Sequence, residues 1–134
     1  MVIVMKKKRR WPWIVLAVVM VVTIGAAVFY TYTSDQLNKL AKFEIEDVDL
    51  STISDGTYHG KYGSFPITVE LDVTVSTHMI TKIIIIKHDN GQGKPAEAII
   101  DDVIAAQSLQ VDVITGATYS SKTILIALQN ALNP

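Results

Sequence analysis

The part of the sequence best suited to chemistry is a cluster of hydroxyl residues around one glycine, TGATYSS at positions 115–121. A short apolar step precedes the cluster and a largely apolar segment follows it, so we expect a turn that leads into a buried helix. Helix N-termini present unpaired N–H groups and a partial positive charge, which together favour a bound phosphate. Serine, threonine and glycine are also ordinary residues of helix caps and turns, so composition alone leaves both interpretations open.

Several other kinds of site are excluded or disfavoured by the sequence. The chain has no cysteine, which removes thiol nucleophiles, disulfides and thiolate metal sites. Neither a GxGxxG pattern nor a glycine-rich loop ending in Lys-Ser/Thr is present. The three histidines, His59, His78 and His88, match no ligand spacing for a metal. The adjacent Asp101 and Asp102 fall on the polar face of a predicted helix, where a solvated pair is the expected arrangement.

The hydroxyl cluster and the residues before it match a known motif. Asp112, the run Thr115-Gly116-Ala117-Thr118 and Ser120 resemble the flavinylation motif Asp-x-x-(Ser/Thr)-Gly-Ala-Thr-x-(Ser/Thr) of the FMN-binding domain family. Members of that family include the C subunit of the sodium-pumping NADH:quinone reductase, the G subunit of the Rnf complex and small membrane-anchored flavoproteins. The resemblance extends from Asp55 to Leu132.

This resemblance implies a covalent cofactor and a function. Thr118 would carry FMN through a phosphoester bond made by a separate magnesium-dependent flavin transferase that uses FAD. The chain would then be a substrate of that enzyme and an electron-transfer carrier, working with a membrane redox protein as donor or acceptor. The implied cofactor-binding residues are Thr118, Asp112, Thr115, Gly116, Ala117, Ser120, Ser121, Tyr119, His88 and Tyr58. Tyr62 and Phe65 are further candidates to flank the flavin ring.

Two alternatives to a covalent electron carrier use the same fold. The first is a module that binds a ligand or a partner subunit without redox turnover, and the second is a site for non-covalent FMN. The complete motif around the Thr118 hydroxyl favours the carrier, because a module without flavinylation would not need it.

Composition predicts one small domain with an apolar appendage. The chain has 134 residues, of which 49% are hydrophobic and only 19% charged, which is more apolar than an ordinary soluble domain. Five of the twelve basic residues lie together in the segment KKKRR at positions 6–10. The rest of the chain has seven basic and thirteen acidic residues, a net charge of −6. A nucleic-acid partner is therefore not expected, because phosphate backbones require a basic surface.

The appendage is predicted to be a single transmembrane helix. The segment from Trp11 to Tyr30 contains no charged residue, and about 20 apolar helical residues span a bilayer. Aromatic residues lie at both ends, and the basic cluster precedes the segment, which places the N-terminus in the cytoplasm and the remainder outside. A cleaved signal peptide, with small residues at 25–27, is the main alternative, and a buried helix of a soluble protein is a weaker one.

The exported part divides into a predicted linker, residues 33–54, and a domain, residues 55–134, after the tail and anchor of residues 1–32. Alternation over residues 67–75 predicts a half-buried strand, and the apolar run at 79–87 predicts a central strand covered on both faces. The two strands are expected to pair through Ser76, Thr77 and His78. Helices are predicted from Pro95 to about Ser108 and from about Tyr119 to Leu132. The expected fold is α+β, with a small antiparallel sheet packed by two helices.

Overall fold

A computed structural model describes residue 3, residues 9–89, residue 91 and residues 93–133. Lys6, Lys7 and Lys8 of the basic cluster therefore lie outside the described residues. The chain divides into two compact units, Met1–Ser34 and Asp35–Pro134. Each unit is described below by itself.

Most of the described N-terminal unit is a long apolar helix, whose last residues belong to the second unit. Helix α1 covers Trp11–Lys42 and is 32 residues long, which confirms the predicted apolar helix and extends it beyond Tyr32. None of its most apolar 18-residue window is buried. By length and composition α1 is a candidate membrane span, and Trp11 and Trp13 lie exposed at its start.

The second unit contains a three-stranded antiparallel sheet. Strand β1 covers Gly56–Ser64, β2 covers Ile67–Ser76 and β3 covers Met79–Asp89, in the order β1-β2-β3. The odd-numbered residues of β2 from Ile67 to Val75 are all buried, which confirms the strand that their alternation predicts. Strand β1 was not predicted, because its glycines and aromatic residues are also typical of turns.

The prediction that the apolar run at residues 79–87 forms a central strand is wrong. Strand β3 lies at an edge of the sheet and, within the described residues, pairs only with β2. Its inner face buries Ile80 and Ile83, whereas Ile84 and Ile86 are 45% and 53% exposed. Consecutive isoleucines therefore do not require a strand that is covered on both faces.

A two-residue turn joins β2 to β3. Both turn residues are left-handed, with φ of 55° at Thr77 and 59° at His78, as a type I′ hairpin turn requires. Glycine or asparagine normally occupies such positions because other side chains are strained there. The Thr77 N–H donates a hydrogen bond of 2.8 Å to the Asp55 carboxylate, which ties this turn to the residue before β1.

Two α-helices pack against the sheet, as predicted. A short 3₁₀ helix, Lys94–Ala98, leads into α2, Ile99–Ala106, which buries Ile99 and Val103. Helix α3 covers Thr118–Leu132 and is buried on nearly every side. It packs on β1 and β2. The second unit is therefore an α+β domain with its core between the sheet and the helices.

One glycine allows α3 to approach β1 closely. A Cβ atom at Gly60 would lie 2.1 Å from the Ala127 carbonyl oxygen and 2.6 Å from the Ala131 Cβ. One residue further along β1, the Asn130 side-chain amide donates to the Lys61 carbonyl over 3.0 Å. The helix backbone thus occupies the space that a side chain would take at Gly60.

The residues between α1 and the sheet lie along the domain rather than apart from it. We call residues 43–48 the strap. The Asp47 carboxylate accepts hydrogen bonds from the Ser108 hydroxyl at 2.7 Å and the Leu109 N–H at 2.9 Å. The Glu46 N–H donates to the Gln129 side chain, and the strap residues Ile45 and Val48 pack against the core. The domain boundaries at residues 32 and 54 remain predictions.

The Asp47 carboxylate should make the stability of this domain sensitive to acid. Partial burial opposes its ionisation, but hydrogen bonds from Leu109, Ser108 and Val48 outweigh that effect and hold the pKa below the usual 3.8. A lowered folded-state pKa stabilises the fold above the unfolded pKa, and this contribution is lost as pH falls through the folded pKa. We therefore expect the urea midpoint of wild type to be higher than that of Asp47→Asn at about pH 7. The difference between the two midpoints should become smaller below about pH 3.8. A difference independent of pH would contradict this assignment.

Candidate functional site

A tight turn presents the residues of the hydroxyl cluster. The Ala117 N–H donates to the Ile114 carbonyl over 2.9 Å, which closes a four-residue turn. Its third residue, Gly116, has a φ of +80°, a conformation that favours glycine at this position of a turn. The turn leaves Thr115 and Gly116 exposed and delivers the chain directly into α3.

The first turn of α3 has free N–H groups where the motif threonine lies. Thr118 is the first residue of the helix, and the residue before it, Ala117, provides no side-chain cap. The first helical bond runs from the Ser121 N–H to the Ala117 carbonyl at 2.9 Å. Helix geometry therefore leaves the N–H groups of residues 118–120 without helical acceptors. An anion attached at Thr118 would lie where these groups and the helix dipole favour it.

Some hydroxyl side chains of the cluster and of α3 are buried, whereas others are exposed. The Ser121 hydroxyl is fully buried and accepts the Ile114 N–H at 3.0 Å, and Thr123 donates to the Tyr119 carbonyl at 2.8 Å. Ser120 is also buried. Thr115 and Thr118 remain exposed. Among the described residues, no hydrogen bond engages the Thr118 hydroxyl, so this oxygen is accessible to an external enzyme.

Two other predicted site residues flank this helix start. Asp112 is exposed two residues before the turn. The turn is held by the backbone of Ile114 and Ala117 and by the Ser121 hydroxyl. Tyr119 is 37% exposed and follows Thr118 directly. The structure therefore brings together the predicted residues from Asp112 to Ser121.

His88 lies at the end of β3, in contact with the 3₁₀ helix. Its side chain is 2% exposed, and its Nδ1 lies 3.0 Å from the Glu97 carboxylate. The hydrogen bond with His88 lowers the pKa of Glu97, and the Lys94 ammonium contributes in the same direction. This pair ties the 3₁₀ helix to the sheet and uses the Nδ1 atom of His88 in a structural contact.

The predicted aromatic residues divide between core and surface. Tyr58 and Tyr62 pack against the core from β1, and the Tyr58 hydroxyl donates to the Ser54 carbonyl at 2.7 Å. Phe65 is exposed beside the cis peptide bond to Pro66. The hydroxyl of Tyr58, a predicted cofactor-binding residue, is therefore hydrogen-bonded to Ser54 and not to the segment of residues 112–121.

The three histidines do not form a metal site. His59 contacts Asp72 and Glu70 on the sheet, His78 lies by the Leu50 and Ile53 carbonyls, and His88 contacts Glu97. In the described part of the chain, no group of three or more His, Asp or Glu side chains has an arrangement that could hold a metal ion.

A cavity of about 350 Å³ lies between the strap, the segment before the turn and α3. Its lining residues are Glu44, Ile45, Leu109, Gln110, Val111, Val113, Lys122 and Leu125. The residue pattern of the motif does not predict this cavity. The sequence does indicate one of its lining residues, because Lys122 follows Thr118 by four residues and therefore lies on the same face of the helix.

The geometry defines an α+β domain that presents one threonine hydroxyl at an uncapped helix start, a place suited to a phosphate ester. The model of the FMN-binding domain family matches residues 62–133, and the chain belongs to that family. The match covers α3 and its preceding turn, together with β2 and β3. The predicted family membership is thereby confirmed, and the domain is an FMN-binding domain.

One curated relative is similar to most of this chain. An NADH:acrylate oxidoreductase from Vibrio harveyi is 33% identical over 97 residues, which cover 67% of this chain and 9% of the relative. The chain therefore corresponds to a small part of that protein. No solved structure matches the chain.

The residues present fit FMN. The phosphate requires N–H donors and positive charge, which the start of α3 provides. The ester requires a free hydroxyl, which Thr118 provides. The Gly116 turn keeps side-chain bulk away from the approach, since no atom outside its chain neighbours lies within 4 Å of a Cβ built there.

Proposed function

We propose that this chain is a membrane-anchored, extracytoplasmic flavoprotein that carries FMN covalently on Thr118 and transfers electrons. The observation that carries the proposal is the exposed Thr118 hydroxyl at the uncapped start of α3, within an intact motif. Bound FMN accepts one or two electrons, and the protein supplies its position and its electrostatic surroundings. The name of the NADH:acrylate oxidoreductase relative supports a redox role.

Attachment requires a second enzyme. The Thr118 oxygen attacks the flavin-side phosphorus of FAD, the bond between the two phosphoryl groups breaks, and AMP leaves. The threonine proton passes to a base of the flavin transferase. Among the described residues, no base is hydrogen-bonded to the Thr118 hydroxyl, and an ordinary alcohol is a weak nucleophile without one. The transferase is therefore the expected partner for maturation, and a membrane redox protein is the expected partner for electron transfer.

The position of the anchor follows from charge and hydropathy. Helix α1 is a candidate membrane span, and five basic residues precede it. This order supports a cytoplasmic N-terminus with the FMN-binding domain on the other side of the membrane. The bilayer is then a constant partner of the chain.

Intact-mass spectrometry of the full chain tests this function. We expect coexpression with a flavin transferase to add the mass of one FMN minus water to Thr118. The modified chain should stay in the membrane pellet after a carbonate wash, and protease added to intact spheroplasts should remove its domain. An unmodified chain beside an active transferase would contradict the carrier and leave a non-redox module or non-covalent FMN binding. A modified chain released by carbonate would instead contradict the anchor.

A further inference from the structure

We propose that the strap, residues 43–48, forms one wall of the site that holds the flavin ring. The strap lies outside the residues that the family model matches, so the segment following α1 becomes part of the cofactor site. This inference rests on the proposed attachment of FMN to Thr118. It adds a location for the ring, which the attachment point does not determine.

The cavity has the size and lining of a ring site. Its volume of about 350 Å³ is near the lower end of the range for small-molecule sites, which suits one planar ring system. Ile45, Val111, Val113 and Leu125 provide apolar surface. The isoalloxazine ring has an apolar benzenoid end and a polar pyrimidine end, and Glu44, Gln110 and Lys122 provide polar groups for the second.

The cavity is within reach of the attachment point. Thr118 and Lys122 lie on the same face of α3, about 6 Å apart along the helix axis. The ribityl chain that separates phosphate from ring in FMN is long enough to cover one helical turn. Residues 109–111 and Val113 line the cavity, and the chain then leads directly into the Gly116 turn. A phosphate at Thr118 can therefore place the ring against Lys122 and Leu125.

The strap positions the polar lining. The Lys122 ammonium donates to the Phe43 carbonyl at 2.8 Å, and the Gln110 side-chain amide donates to the Ile45 carbonyl. Two of the three polar side chains in the cavity are thus oriented by strap backbone atoms. A cation held beside a flavin tunes its electronic properties, so the Phe43 carbonyl acts on the ring by positioning Lys122.

The strap is fastened on its far side by Asp47. That carboxylate accepts hydrogen bonds from Ser108 and from Leu109, which itself lines the cavity. Loss of these bonds should release the strap and open the cavity. Asp49 provides a matched control, because within the described residues its carboxylate accepts hydrogen bonds only from the Ser51 backbone and hydroxyl. Asp47→Ala and Asp49→Ala therefore make the same change two residues apart, and the first removes hydrogen bonds to Ser108 and to the cavity-lining residue Leu109.

Acrylamide quenching of flavin fluorescence in the full, flavinylated chain in detergent measures whether the ring is enclosed. We expect the quenching constant of folded wild type to be several-fold below that of the urea-unfolded chain. Asp47→Ala should raise it towards the unfolded value, and Asp49→Ala should leave it unchanged. Val113→Trp, which fills the cavity, should also expose the ring, while the mass of the attached FMN stays present in every variant. Circular dichroism confirms that each variant is folded.

Several results would overturn this inference. One is equal quenching in folded and unfolded wild type, and another is equal quenching in Asp47→Ala and Asp49→Ala; in both, an intact FMN mass would leave the proposed function standing. If no FMN is attached, the proposed function fails, and lumiflavin titration of the unmodified chain tests the cavity alone. Saturable binding that Asp47→Ala and Val113→Trp lose would support a ring site, and absence of binding would overturn it.

Discussion

Replacing Thr118 with alanine should abolish covalently bound flavin and leave the domain folded. The Thr118 side chain is exposed, and within the described residues its hydroxyl makes no hydrogen bond. It does not cap α3, because the capping position belongs to Ala117. Alanine also has a better helix propensity than threonine, by a few tenths of a kcal/mol. The variant should therefore match wild type in thermal stability while it lacks the ester oxygen.

In-gel flavin fluorescence after SDS denaturation measures this result, with each chain coexpressed with a flavin transferase. Thr115→Ala is the matched control, because Thr115 is also exposed and belongs to the same motif but lies before the Gly116 turn. We expect its band to keep most of the fluorescence, whereas the Thr118→Ala band should be dark. Equal loss in both variants would show that the assignment of the ester to Thr118 is wrong.

Replacing Gly60 with alanine should cause the largest loss of stability among single methyl additions in β1. The new Cβ would lie 2.1 Å from the Ala127 carbonyl oxygen, a backbone atom of α3 that cannot rotate away. Either β1 or α3 must then shift, and overpacking of this kind costs about 3 kcal/mol. With the denaturant dependence usual for small domains, the urea midpoint should fall by about 2 M.

Gly56 offers a control in the same strand. A Cβ there would meet only the Tyr58 ring, at 3.9 Å or more, which is ordinary van der Waals contact. Gly56→Ala should therefore change the urea midpoint little. Near-ultraviolet circular dichroism of the tyrosines in the detergent-solubilised chain monitors the transition. A Gly60→Ala midpoint equal to that of Gly56→Ala would contradict the close contact between β1 and α3.

The fold could be predicted from the sequence wherever apolar residues recur with the regular period of a strand or a helix. Residues 67–75 show this in β2, and the stripe of Ile99 and Val103 shows it in α2. In β1 the inner positions include Tyr58, Gly60 and Tyr62, opposite Val73, Leu71 and Val69. Gly60 adds no apolar signal because α3 fills its place, so the period of the strand is hidden. The edge position of β3 depends on which strands pair, which its isoleucines do not encode.

Part of the candidate site could likewise be predicted from the sequence, and part of it could not. The residues from Asp112 to Ser121 are contiguous, so the motif alone identifies them and local turn chemistry assembles them. The contributions of Asp47, Gln110 and Lys122 depend on contacts between segments far apart in the chain. A polar, acidic segment such as residues 33–54 resembles a linker in composition. Its packing against the core through Ile45 and Val48 becomes visible only once the partner surface is known.

The strap also has a consequence for the order in which the domain folds. The hydrogen bonds between the strap and the rest of the domain connect residues that are separated by 61 to 83 positions in the chain. In contrast, the β2–β3 hairpin closes through a turn of two residues. Contacts with large sequence separation carry the larger loop-closure entropy and tend to form late. The segment synthesised before the sheet should thus be the last to dock, since its partners at residues 108–110, 122 and 129 are all synthesised after the sheet. Until the strap docks, the cavity beside α3 lacks one of its walls.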